Sequence, residues 1–305
     1  MIFGSVSAAS EVVPAIGFGI ATAAYIGLGS VGYTLQTGIT GVINFAYGAI
    51  LISAAFVAYA VNRVGGDLWQ ILVVGGATGA IVSYLVNKLV FRRFVRRGVS
   101  RFGMLIVTLW AGLILQNILL AIFGGNYLHI TTPAGHLFRV LGTKLDTLQL
   151  TGITIAVVCV VGLAMLLKFT RLGFAMRALA TNPDLARASG VKVARVLDYT
   201  WLITGVICGL AGVLYSIAVG AFHQTSGNAV LIIMFTAAIL GGVGRPLGAA
   251  IAALALSIAM QLVTLVIPAD LNEIVAFVAL ILVLLLRPSG LFGVAREADV
   301  EVAVA

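Results

Sequence analysis

The side chains able to do chemistry in this 305-residue chain are few and far apart. Asn44 is an amide inside an apolar, glycine-interrupted run, flanked by Gly41, Phe45, Tyr47 and Gly48. An amide removed from water needs hydrogen-bond partners, and glycine breaks allow backbone groups to line a cavity. Asn44 therefore has two readings: the wall of a polar path, or a hydrogen bond holding apolar helices together. Gln116 and Asn117, in another apolar run, admit the same two. A third candidate lies between runs, in TNPDLARASGVKVARV at 181–196. Asn182 is a good N-cap, Pro183 suits the first helical position, and Asp184 complements the positive end of a helix. Leu185 and Ala186 follow, and Gly190 is placed to close the helix in a left-handed cap. A helix of about seven residues is too short to stand alone. These residues leave open whether it is a docking element or an ordinary surface turn.

Catalysis is poorly provided for. Ser, His and acidic residues are scattered without a nucleophile–base–orienter arrangement, and there is no P-loop, dinucleotide fingerprint or HExxH. Asp270 and Glu273 stand at the outer end of the last apolar run and read as solvated interfacial carboxylates. His129, His136 and His223 are separated in the sequence and read as interfacial residues rather than metal ligands. Cys159 and Cys208 lie within apolar runs as small buried hydrophobes, with no disulfide framework or metal spacing. No cofactor is expected.

The elements that must position these residues are membrane spans. Apolar residues make up 61% of the chain and charged residues 9%, against roughly 25% charged in soluble domains. Runs long enough for the bilayer core fall at 13–35, 37–62, 68–90, 102–123, 151–167, 197–221, 228–243, 246–267 and 271–286. The expected fold is an all-α polytopic membrane protein with about eight to ten transmembrane helices. Glycine-rich 37–62 and 228–267 can hold re-entrant or broken helices, which leaves the count open.

Threading these runs through a bilayer puts fifteen of the eighteen Lys and Arg on one side. They are the clusters Lys88 to Arg101 and Lys168 to Arg195, then Arg245, Arg287 and Arg296; only Arg63, Arg139 and Lys144 face the other way. By the positive-inside rule the basic loops are cytoplasmic, the N-terminus outside and the C-terminus inside. Glu11 is the sole charged side chain before Arg63, so the start lacks the basic region of a cleaved signal peptide. The net charge of +8 sits between spans. It fits anionic headgroups and a cytoplasmic partner, and argues against nucleic acid.

The chain reads as one membrane domain, 1–305. It has a basic headgroup anchor at 91–101, an outer loop at 124–150, an inner loop at 168–196 and a short tail at 296–305. Small-residue runs, GATGA at 76–80 and CGLAG at 208–212, allow close helix approach. GVINFAYGAILIS at 41–53 and GVGRPLGAAIAAL at 242–254 are faintly alike, as in transporters built from two related halves. No acid or His lies at mid-depth to relay protons, so transport would be passive or driven from outside the chain.

Five ordered segments carry a resemblance: TGITGVINFAYGA at 37–49, GLILQN at 112–117 with FGG at 123–125, RLGFAMRALATNPDLARASGV at 171–191, AAILGGVGRPLGA at 237–249, and LRPSGLFG at 286–293. Together they resemble the branched-chain amino acid ABC transporter permeases of the LivH type. Asp184-Leu185-Ala186 with Gly190 is similar to the acid-Ala-Ala loop of bacterial ABC-importer permeases, with Leu185 in place of the first alanine. The resemblance implies a permease subunit of an ATP-driven importer for branched-chain or related small amino acids, with the type II importer fold in a bacterial inner membrane. It also implies docking of Pro183–Gly190 on the partners that hydrolyse ATP. Those partners are two cytoplasmic ATPases, joined by a second permease and an extracytoplasmic binding protein; the chain itself would be no enzyme. The alternatives are a permease for another small solute such as urea or a short amide, or a passive channel or secondary carrier.

Overall fold

The computed structural model describes residues 8–132, 137–140, 143–265, 272–286 and 290–292. Its elements in chain order are α1 (Ala8–Thr40), α2 (Tyr47–Arg63), α3 (Leu68–Leu85), a π-helical turn (Val86–Phe91), α4 (Arg92–Arg96) and α5 (Arg101–Phe123). A short antiparallel hairpin, β1 (Leu137–Val140) and β2 (Thr143–Asp146), leads to α6 (Thr147–Phe169). Next come α7 (Arg171–Thr181), α8 (Pro183–Ala188), α9 (Val193–Val219), α10 (Ser226–Gly241), α11 (Pro246–Val263) and α12 (Asn272–Leu286). Each of the nine expected apolar segments is helical over most of its described residues. Among the described residues six helices are long and apolar enough to cross a membrane, while Tyr47–Arg63, Ser226–Gly241 and Ile274–Leu285 are shorter.

The short helix α2 lies at the centre. Every residue from Tyr47 to Phe56 is buried, so it meets protein on all sides and needs no amphipathic stripe. Its 17 residues reach about 26 Å at 1.5 Å per residue, less than the roughly 30 Å core. The deficit is made up by Gly41–Ala46, an irregular stretch at which Val42, Asn44 and Ala46 are buried. Non-helical backbone survives at such depth because protein surrounds it.

Small residues set the helix spacing. A Cβ on Gly79 of α3 would fall 2.7 Å from Gly209 Cα of α9 and against the Gly205 carbonyl. The two small-residue runs thus let α3 and α9 touch backbone to backbone, which gains dispersion contact that lipid cannot supply. Ser83 Oγ donates to the Trp201 carbonyl across the same seam at 2.8 Å. Most other buried hydroxyls bond within their own helix, as Ser30 does to the Ile26 carbonyl and Thr200 to the Val196 carbonyl. That satisfies them without an outside partner.

Three sequence expectations shift. The first break falls at Gly41–Ala46, not at residue 36, because α1 continues to Thr40 and stops only where Gly41 turns to φ +67°. The basic stretch 91–101 is largely helix: the π turn and α4 extend α3 to Arg96, leaving a tight turn through Gly98. The 168–196 loop holds a second helix, α7, capped by Thr170 Oγ1 accepting from Gly173 N at 3.0 Å. His136, Asp270, the side chain of Glu273, Arg287 and the 296–305 tail lie outside the described residues.

Candidate translocation path and docking helix

Asn44 is buried at the break between α1 and α2, and its amide does two jobs. Its Oδ1 accepts from Ala46 N at 3.0 Å, which turns the chain into α2. Its Nδ2 donates to Gln36 Oε1 on α1 at 3.2 Å. The other polar atom of Gln36, Nε2, is buried with no partner among the described residues. The stretch is pinned to α5 by Thr108, whose Oγ1 accepts from Phe45 N at 3.3 Å and donates to the Leu105 carbonyl at 2.9 Å. Phe45 itself points outward and is 40% exposed.

Tyr47 is oriented the other way. Its hydroxyl donates to the Gly29 carbonyl at 3.0 Å and its ring stacks edge-on with Tyr33 at 5.3 Å. It is a strut inside the bundle. Gly48 is a contact point, where a Cβ would run into the Gly227 carbonyl of α10. The starts of α2 and α10 therefore cross backbone on backbone.

Gln116 and Asn117 are adjacent but take different roles. Gln116 is buried, and its Nε2 donates to Asn228 Oδ1 on α10 at 2.6 Å. Asn117 is exposed and satisfies one proton on its own helix, at the Leu113 carbonyl, 2.8 Å away. Asn228 is exposed as well. So the structure brings Asn44, Phe45, Gly48 and Gln116 around the junction of α2, α5 and α10, with Tyr47 behind it and Asn117 beside it. Gln36, Thr108 and Asn228 belong to this junction and were not singled out from sequence. Asn228 offered a signal, a lone amide at the start of an apolar run.

At the basic end, α8 is the six-residue helix Pro183–Ala188. Asn182 Oδ1 accepts from Asp184 N at 3.1 Å and Leu185 N at 3.0 Å. At the other end Gly190 has φ +84°. Its N–H bonds the Arg187 carbonyl at 3.0 Å, and Val191 N–H bonds the Ala186 carbonyl at 3.0 Å. This pair of bonds is a Schellman closure. Ala186 is buried beneath the helix, whereas Leu185 is 64% exposed and Asp184 pairs with Arg187 at 3.2 Å. The result is a capped knob that displays Pro183 and Leu185.

A charged cluster near α8 escaped sequence reading altogether. Asp198, the one acid of its apolar run, accepts from Arg92 Nη2 and from Asn87 Nδ2, both at 2.9 Å. Arg92 also reaches the Ala194 carbonyl at 2.8 Å. The π turn at Val86–Phe91 carries Asn87 at its start and leads directly into Arg92.

Two histidines, His129 and His223, serve structure at the opposite end. His129 Nδ1 meets the Gly220 carbonyl at 3.0 Å, and His223 pairs with Ser226 Oγ at 2.6 Å beneath the Tyr127 ring. Among the described residues no three His, Cys, Asp or Glu converge on a metal site.

An apolar helix bundle, broken around a buried amide and bearing a capped knob at its basic end, has the build of a membrane permease. The family described as "Branched-chain amino acid transport system / permease component" matches residues 15–284, and the chain belongs to it. The high-affinity branched-chain amino acid transport permease LivH of Escherichia coli K12 is 29% identical, covering 87% of this chain and 90% of that protein. BraD of Pseudomonas aeruginosa, named likewise, is 27% identical over the same shares. Among solved structures, PsaBC of Streptococcus pneumoniae shares the fold at a TM-score of 0.50 and 14% identity, covering 93% of this chain and 94% of that one. The chain is a multi-pass membrane permease of that family.

Proposed function

We propose that this chain is the membrane subunit of an ATP-driven importer of branched-chain or related small amino acids. The observation that carries a path through the subunit is the strip formed by Phe45, Gln116, Asn117 and Asn228. Two of its amides, Asn117 and Asn228, are exposed on a surface that is otherwise Leu, Ile and Trp. Asn117 lies 16 residues into α5 from Arg101, about 24 Å along its axis, in the outer part of a core roughly 30 Å thick. Amides there suit the outer mouth of a path, hydrogen-bonding a partner helix or water. A second permease, facing this strip, would close the path between the two subunits. The unpartnered Gln36 Nε2 beside Asn44 supplies a buried donor next to that path.

The basic end is assigned to the cytoplasm, with the N-terminus outside. There α8 docks into a cleft of an ATPase subunit, with Pro183, Asp184 and Leu185 presented and Ala186 and Gly190 holding the shape. Two ATPases hydrolyse ATP, the permease being non-catalytic, and an extracytoplasmic binding protein delivers substrate. Closure of the ATPases pushes α8, and packed helices turn that push into alternating access. The test is uptake of labelled leucine by the complete assembly with ion gradients clamped. Uptake stops on ATP depletion if the proposal holds. Leucine uptake that persists without ATP identifies a channel or carrier instead.

A further inference from the structure

Between α3 and α9, at the basic end, lies a cleft of about 300 Å³ lined by Tyr84, Arg195, Asp198, Tyr199 and Leu202. Lys88 Nζ sits over the Tyr84 ring, 5.7 Å from its centroid, at the cleft's edge. Lys88 and Arg195 are exposed, and among the described residues neither forms an ion pair. The one carboxylate lining the cleft, Asp198, is already engaged by Arg92 and Asn87 at 2.9 Å each. It cannot neutralise the two free cations, so the cleft attracts an anion.

The surroundings specify which anion. Tyr84 and Tyr199 are amphipathic residues of the kind that sit at headgroup level. Away from the basic end the same two helices expose apolar side chains next to the cleft, Ile81 and Leu85 on α3 and Val206 on α9. A ligand that fits both carries an anionic group at one end and a hydrocarbon chain at the other. The volume suits a headgroup with its glycerol, the acyl chains lying outside along the groove. We propose that this cleft binds the headgroup of an anionic phospholipid, its phosphate between Lys88 and Arg195. The bound lipid would bridge the π turn and the start of α9, the helix that leads out of α8. A zwitterionic phospholipid brings its own ammonium into a cationic cleft and is disfavoured. The inference stands on this cleft alone and does not depend on what the permease carries.

The transporter, purified with its co-extracting subunits, is tested for retained lipid by native mass spectrometry after equilibration with phosphatidylglycerol and phosphatidylethanolamine at equal mole fraction. Wild type should retain phosphatidylglycerol preferentially. Lys88→Gln and Arg195→Gln should each lower retention about fivefold, and the double variant about twenty-five-fold. Lys88→Arg with Arg195→Lys should retain it, as should Arg93→Gln and Arg97→Gln, which alter the same basic stretch away from the cleft. Equal retention of the two lipids, or equal losses in the Arg93 and Arg97 variants, overturns the proposal. Displacement of the lipid by millimolar inorganic phosphate also overturns it, marking a site for soluble phosphate. Should the double variant fail to assemble, wild type still decides: retention that is insensitive to salt contradicts a site built on two cations.

Discussion

Gly190 offers the sharpest test of the docking helix, because its cost can be worked out in isolation. Its φ of +84° is left-handed, and a Cβ built there meets nothing within 4 Å. Gly190→Val therefore carries no clash at its Cβ, and its main cost is the backbone penalty of about 1–2 kcal/mol for a side chain in that region. The penalty falls on a six-residue helix that has no stability of its own to spare. Each 1.4 kcal/mol is about a tenfold change in an equilibrium constant, so the ratio of capped to uncapped α8 should drop roughly tenfold while the spans are untouched. Gly190→Asn should lose much less, since Asn tolerates the left-handed region. Asn182→Ala attacks the other end by removing the bonds to Asp184 N and Leu185 N, at about 1 kcal/mol. Asp184→Lys sets a cation against the positive end of the helix and should act in the same direction. The assay measures permease abundance, ATPase co-purification and leucine uptake for all four variants in the complete assembly. With abundance constant, uptake should fall most in Gly190→Val, less in Asn182→Ala and Asp184→Lys, and least in Gly190→Asn. Normal transport and ATPase association in Gly190→Val would remove α8 from the coupling route. Equal loss in Gly190→Val and Gly190→Asn would show that the left-handed cap is not what matters.

Three further outcomes are expected. Single cysteines at Asn126 and Ser189, both exposed, should react with an impermeant thiol reagent from opposite sides, Asn126 from outside; labelling of both from one side defeats the threading. Asn228→Leu leaves the Gln116 amide buried without its partner, at a cost of about 1–3 kcal/mol. Uptake should drop while ATPase association stays, and normal uptake in both Asn228→Leu and Asn117→Leu would remove the strip from the path. Gly79→Leu forces a side chain into the Gly205 and Gly209 backbone, so thermal stability in detergent should fall by about 1–3 kcal/mol or more. Gly162→Leu on α6, where a Cβ meets nothing within 4 Å, should be tolerated.

Local chemistry was legible because it is written in neighbouring residues. The nine apolar runs become helices, since backbone groups in hydrocarbon have no other nearby partners. Asn182, Pro183 and Gly190 bound α8 because caps and left-handed turns are made by side chains and backbone a few positions apart. The GATGA and CGLAG runs marked small-residue faces, although their mutual pairing across α3 and α9 could not be read from either one. Asn44 shows the limit. Its type and its glycine neighbours announced a polar break, but its hydrogen bonds go to Ala46 and to Gln36 on the preceding helix, so the amide holds the break together.

What remained hidden depends on contacts distant in sequence. The bond from Gln116 to Asn228 spans 112 positions and the pair Arg92–Asp198 spans 106. Whether Arg92 is a solvated loop residue or a clamp between helices is decided by the helix that arrives opposite it, and the basic 91–101 stretch alone reads as loop. The same holds for the β1–β2 hairpin and for the central place of α2: hydropathy measures only how much a segment avoids water. It does not distinguish a helix facing lipid from one enclosed by other helices, because both environments are apolar. Only the packed bundle separates them.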